Sequence, residues 1–89
     1  MSSSVIVVSH RPGSWLADCL ASALPQASEV ILIDNGSAGE EASDIGRRSG
    51  ATVVRSSRNL GFAGGVNLGL RHAHGEIVGL LNDDAVAGP

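Results

Sequence analysis

The sequence predicts an α/β domain: a three-layer, Rossmann-like β-α-β-α-β-α-β chain whose parallel sheet runs in the order 3-2-1-4. Three observations carry this expectation. Short apolar runs recur along the chain at Val5–Val8, Val30–Ile33, Thr52–Val54 and Ile77–Leu81. Segments with helical spacing separate them. The first, second and fourth runs are continuous rather than alternating, as in strands buried on both faces of a parallel sheet.

After the first strand, Trp15, Leu16, Cys19, Leu20, Ala23 and Leu24 fall on one apolar helix face. Ser14 is placed to cap that helix and Pro25 to stop it. Cys19 is expected to fill the core, and Trp15 to anchor packing near the sheet edge. The second helix, about Glu40 to Ser49, opens on two acids and carries Arg47 and Arg48 in its last turn. That polarity suits the helix dipole, and Gly50 supplies the stop. The third helix, about Phe62 to His74, sets Phe62, Val66, Leu70 and Ala73 on one face, with Gly75 as its cap. His72 and His74 near its end read as surface residues. Right-handed crossovers between parallel strands put helices on both faces of the sheet. The third crossover is the natural place to return across the first strand. The fourth strand then lies beside the first, with a topological switch point between them.

Composition bounds the function. A chain of 89 residues holds one domain, which buries roughly 60–65% of its unfolded surface. With 43% hydrophobic and 17% charged residues it is not a disordered segment. No apolar run is long enough for a membrane span. A net charge of -3 argues against nucleic-acid binding by phosphate neutralisation, and 2% aromatic content against base stacking. All 6 basic residues are arginines, which excludes any mechanism built on a lysine. The absence of a basic leader argues against a signal peptide, and the lone Cys19 excludes an internal disulfide framework. A reducing, cytoplasmic setting is expected.

Ligands of open α/β sheets bind outside the carboxyl ends of the strands, near the switch point. Those ends read Ser9-His10-Arg11, Asp34-Asn35-Gly36-Ser37, Arg55 to Asn59, and Asn82-Asp83-Asp84. The paired carboxylates after the last strand suit a hard divalent cation that shares diphosphate oxygens. The same acids also favour a simple turn, and Asp34 carries the same ambiguity. The stretch Asn59-Leu60-Gly61-Phe62-Ala63-Gly64-Gly65-Val66-Asn67 allows close backbone approach and opens a helix whose N-terminus favours anions. Its glycines serve tight helix-on-sheet packing equally well.

Taken in order, these stretches resemble the N-terminal half of family 2 glycosyltransferases with the GT-A fold. The likeness runs through Val5-Ile6-Val7-Val8-Ser9, Val30-Ile31-Leu32-Ile33-Asp34-Asn35-Gly36-Ser37, Asn59 to Gly69, and Leu80-Leu81-Asn82-Asp83-Asp84. The resemblance implies an inverting transferase that uses a nucleotide-diphosphate sugar of the UDP, dTDP or GDP type and a divalent metal, Mn or Mg. It puts Ser9 and His10 beside the base and ribose, and gives Asp34 a hydrogen bond to the base. It assigns Asn59, Gly61, Gly64 and Asn67 to the nucleotide and diphosphate pocket. Asn82-Asp83-Asp84 matches the family's Asp-X-Asp motif with Asn in first place. Asp84 then becomes the metal ligand, Asn82 a ribose or sugar contact, and Asp83 the variable middle position.

Two departures qualify the match. The first strand's rim continues with His10 and Arg11 where the family carries an aromatic and an Asn. The chain, a single domain over 1–89, also stops at Ala85-Val86-Ala87-Gly88-Pro89, just past the metal motif. The general base is expected beyond Pro89, so no catalytic residue is assigned and turnover by this segment alone is not expected. The contrasting expectation is a non-catalytic binding or self-association module, homo-oligomeric through an uncovered sheet edge or helix face. A phosphoacceptor receiver domain is excluded, because it needs acids after the first strand and a lysine near the last.

Overall fold

The computed structural model describes residues 2–11 and 13–84. The chain runs β1 (Ser3–Ser9), α1 (Trp15–Ala23), a 3-10 turn (Leu24–Gln26), β2 (Glu29–Asn35), α2 (Glu41–Ser49), β3 (Thr52–Ser56), α3 (Gly61–His72) and β4 (Ile77–Asn82). The strands form one parallel sheet ordered β3-β2-β1-β4, as the sequence predicts. The register sets Ser9 beside Asp34, and Val8 beside Asn82, at the carboxyl ends. The segment Ala85-Val86-Ala87-Gly88-Pro89 lies outside the described residues.

Two apolar layers sandwich the sheet. On one face, Leu16, Cys19, Leu20 and Ala23 of α1 and Ala42 of α2 pack on Val7, Val30 and Leu32. On the other, Leu68 and Ala73 pack against Ile6, Ile31 and Ile33. Helix α2 ends as its sequence implies. Gly50 adopts a left-handed conformation at φ 95°, and the amides of Gly50 and Ala51 donate back to Arg47 and Gly46 carbonyls. Among the described residues no helix is long and apolar enough to cross a membrane.

The local expectations need correction at five places. Ser14 makes no side-chain cap bond at the start of α1. Trp15, the first residue of α1, is 62% exposed and lies outside the apolar core. Helix α3 does not bury the face holding Phe62 and Leu70, which are 58% and 47% exposed. It docks through Gly65 and Gly69 instead, since only bare backbone fits so close to Val8 and Ile6. Its C-cap is Ala73, while Gly75 abuts the backbone of Ser3 and Ser4 at the start of β1. Finally, β4 is not covered on both faces. Ile77, Val78 and Leu80 are exposed, because among the described residues β4 is the edge strand and α3 sits over β1 and β2.

Candidate functional site

A cleft of about 410 Å³ opens at the carboxyl ends of β1, β2 and β4. Its lining is Val8, His10, Arg11, Asn35, Asn59, Gly61, Phe62 and Asp83. This is the switch point, where chains leaving β1 and β4 diverge and the start of α3 closes one side.

Strand ends place the polar groups. His10 follows β1 directly, and its Nδ1 lies 2.9 Å from the Asn35 carbonyl at the end of β2. The carbonyl can only accept, so Nδ1 carries the proton. The start of α3 is held by two asparagines: the Leu60 amide donates to Asn35 Oδ1 at 2.9 Å, and the Gly61 amide to Asn59 Oδ1 at 2.9 Å. These side chains satisfy amides that would otherwise lack partners at a helix terminus. Gly61 begins the helix at φ 74°, a conformation natural to glycine. Arg11 gives the cleft a permanent cation and Asp83 a carboxylate.

Of the residues singled out from sequence, His10, Asn59, Gly61 and Asp83 meet in this cleft. The others stand elsewhere. Ser9 is fully buried, and its hydroxyl has no hydrogen-bond partner among the described residues. Asp34 is also fully buried, turned into the fold rather than onto the cleft. Its carboxylate accepts from the hydroxyls of Ser37 and, at 2.6 Å, Ser43, with Arg55 Nη1 at 3.9 Å. Arg55 in turn reaches the Gly39 carbonyl at 2.6 Å and Glu40 at 3.0 Å, closing the loop after β2. Gly64 and Asn67 lie further along α3, outside the cleft. Asn82 and Asp84 are exposed at the end of β4, on either side of Asp83.

Val8, Arg11, Asn35 and Phe62 all lie inside the stretches that drew attention, but no ligand role was assigned to any of them individually; only the folded positions of the strand ends single them out.

Cys19 ties α1 to the far side of this site. Its thiol donates to the Asn82 carbonyl at 3.3 Å. Burial, with the Asp83 and Asp84 carboxylates adding to it, pushes the thiol pKa up to about 11. Cys19 is therefore a neutral packing group, as expected from its place on the apolar face.

Comparison with known proteins follows the same geometry. The sequence model of glycosyl transferase family 2 matches residues 4–89. The chain is 33% identical over 86 residues to the succinoglycan biosynthesis protein ExoU of Rhizobium meliloti (strain 1021), covering 90% of this chain and 25% of that protein. The mannosyltransferase PcManGT from Pyrobaculum calidifontis, solved in complex with GDP-Man and Mn2+, superposes with a TM-score of 0.82 at 26% identity. That superposition covers 94% of this chain and 28% of the mannosyltransferase. Glucosyl-3-phosphoglycerate synthase of M. tuberculosis shares the fold, with a TM-score of 0.81 at 22% identity over 96% of this chain and 35% of its own. This chain thus spans well under half the length of each of these proteins. A match running from β1 through the acids after β4 settles the family: the chain belongs to glycosyl transferase family 2.

Proposed function

We propose that the chain forms the nucleotide-sugar-binding part of a glycosyltransferase, with the donor's nucleoside diphosphate seated in the switch-point cleft. In the whole protein the sugar passes to an acceptor with inversion. The observation that carries this reading is the meeting of Arg11, His10, Asp83 and the start of α3 in one cleft. The Arg11 guanidinium presents a fork of donors that matches phosphate oxygens. Beyond the Leu60 and Gly61 amides, which asparagine side chains already hold, the first turn of α3 carries amides with no intrahelical partner, which favour anions. His10 and Asn59 supply hydrogen-bonding groups for the base and ribose. The mannosyltransferase relative, bound to GDP-Man and Mn2+, supports a donor of this class.

The acids after β4 fit a divalent cation, Mn or Mg. Asp83 lines the cleft and Asp84 stands exposed beside it. Among the described residues no three His, Cys, Asp or Glu side chains gather into a metal site. Such a sparse donor set suits a hard cation that takes its other oxygens from diphosphate and water. Asp84, with Asp83 beside it, would hold the ion. When bound, the cation supplies Lewis-acid stabilisation of the leaving diphosphate.

Calorimetric titration of UDP, dTDP and GDP, each with Mn2+ and then with chelator, tests the reading. Saturable heat is expected for at least one nucleotide, weakened by chelator and by Asp84→Asn. No heat for any of the three in the folded protein would overturn it.

A second reading, self-association, is favoured by the exposed apolar residues of β4, Ile77, Val78 and Leu80. It concerns a different surface from the cleft, so the two readings are independent.

A further inference from the structure

We infer that Asn35 is a positioning residue for the cleft: one buried amide fixes the start of α3, while its own carbonyl orients His10. The inference rests on the reading of the cleft as a nucleoside-diphosphate site.

Asn35 closes β2 and is 2% exposed. Its side chain works in both directions. Nδ2 donates to the Gly61 carbonyl at 3.0 Å, and Oδ1 accepts from the Leu60 amide at 2.9 Å. These partners belong to one turn of backbone, so a single planar group clamps the entry to α3. The main-chain carbonyl of Asn35 accepts from His10 Nδ1 at 2.9 Å. That bond turns Nε2, the other ring nitrogen, toward a ligand's side of the ring.

The packing around this amide leaves it no freedom. A Cβ added at Gly65, one turn into α3, would stand 3.1 Å from Asn35 Nδ2 and 2.7 Å from Val8 Cγ1. A Cβ at Gly36, the next residue after Asn35, would run into the backbone of Arg58 and Asn59. The loop before α3 is thus seated directly on the exit of β2. Asn59 and Gly61 reach the cleft wall because of that seat.

Asparagine is the residue the geometry requires. One edge of the group must accept and the other must donate. A carboxylate of the same shape presents two acceptors and sets one against the Gly61 carbonyl. Glutamine carries the same amide on a longer stem, in a space already closed by Gly65. A misplaced loop would move the cleft wall without touching the ligand, and shifts of this kind are costly to a preorganised site.

The test uses Asn35→Asp and Asn35→Ala in the full chain, with GDP, UDP and dTDP plus Mn2+ as probes. Amide hydrogen exchange is read by NMR alongside affinity. Both variants are expected to bind at least roughly tenfold more weakly. Asn35→Ala is expected to speed exchange at the Leu60 amide, while the Ile31 and Ile33 amides stay protected. Unchanged affinity in both variants overturns the inference. If the wild-type chain binds no probe, the donor reading alone fails. Asn35 is then judged by the Leu60 amide, whose unchanged exchange in Asn35→Ala overturns the positioning role. If neither variant folds, the wild-type chain decides: slow exchange at the Leu60 amide supports the clamp, and fast exchange overturns it.

Discussion

Gly69 of α3 rests directly on Ile6 of β1, so closely that a Cβ at position 69 would stand 2.6 Å from Ile6 Cγ2. Ile6 is 1% exposed, and its Cγ2 branch cannot swing aside without leaving the core. Gly69→Ala therefore sets two effects against each other. Overpacking costs roughly 1–3 kcal/mol, while helix propensity returns at most about 1 kcal/mol. The expected net effect is destabilising, seen as a midpoint lowered by several degrees in thermal unfolding. A raised midpoint would show that α3 can lift off the sheet without loss.

Asp34 is expected to act on the fold rather than on the ligand. Its carboxylate is wholly buried and already accepts from Ser37 and Ser43. Asp34→Ala strands both hydroxyls and removes the most distant of the Arg55 contacts, leaving those to Gly39 and Glu40, at a cost of about 1–3 kcal/mol. Chemical denaturation measures that loss, and nucleotide affinity at a temperature where the variant stays folded measures the alternative. Intact stability with lost affinity would return Asp34 to the base contact that the family resemblance implies.

These two residues show what was legible in sequence and what was not. Continuous apolar runs at β1 and β2 revealed a parallel sheet, and placing the return across the first strand at the third crossover gave the strand order. The docking face of α3 was only partly legible. Ala73 does pack on the core, but periodicity counts apolar side chains and so misses the close contacts made by Gly65 and Gly69. The exposure of β4 was hidden, since an apolar run does not show whether a neighbour covers it. At the cleft, His10, Asn59 and Asp83 were legible as polar groups following strands, and Gly61 as part of the glycine-rich stretch that opens the third helix. Asn35 was not, because Asp-Asn-Gly-Ser reads equally as a turn, and its clamp depends on a loop 25 residues away in sequence.

The opposite end of the sheet carries a pH-dependent clasp. Glu29 accepts from the Ser4 hydroxyl at 2.5 Å and from the His74 amide at 2.6 Å. These bonds, the Ser4 hydroxyl foremost, lower its pKa from 4.5 to about 2. A carboxyl depressed in the folded state stabilises the fold above its unfolded pKa and loses that contribution as pH falls through its folded value. The Glu29 contribution is therefore complete above about pH 4.5 and gone below about pH 2. Unfolding midpoints for wild type and Glu29→Gln are expected to differ above that window and converge within it. Parallel curves across the whole range would remove Glu29 as the cause.

The outer edge of β4 bears on self-association. Within the described residues β4 pairs only with β1, so its other edge offers unpaired backbone groups. Ile77 and Leu80 are each 52% exposed, and no charged residue interrupts the run from Ile77 to Leu81. Natural sheet edges are blunted by charges, bulges or prolines, and an unblunted apolar edge pairs readily with another strand. A second copy of the chain presents the same edge. Sedimentation velocity is expected to show mass rising with protein concentration. Leu80→Lys is expected to suppress that rise while leaving the fold intact, since Leu80 already faces solvent. Its nucleotide affinity is also expected to match wild type, because Leu80 does not line the cleft. A chain that stays monomeric at every concentration would sink the self-association reading and leave the cleft proposal untouched.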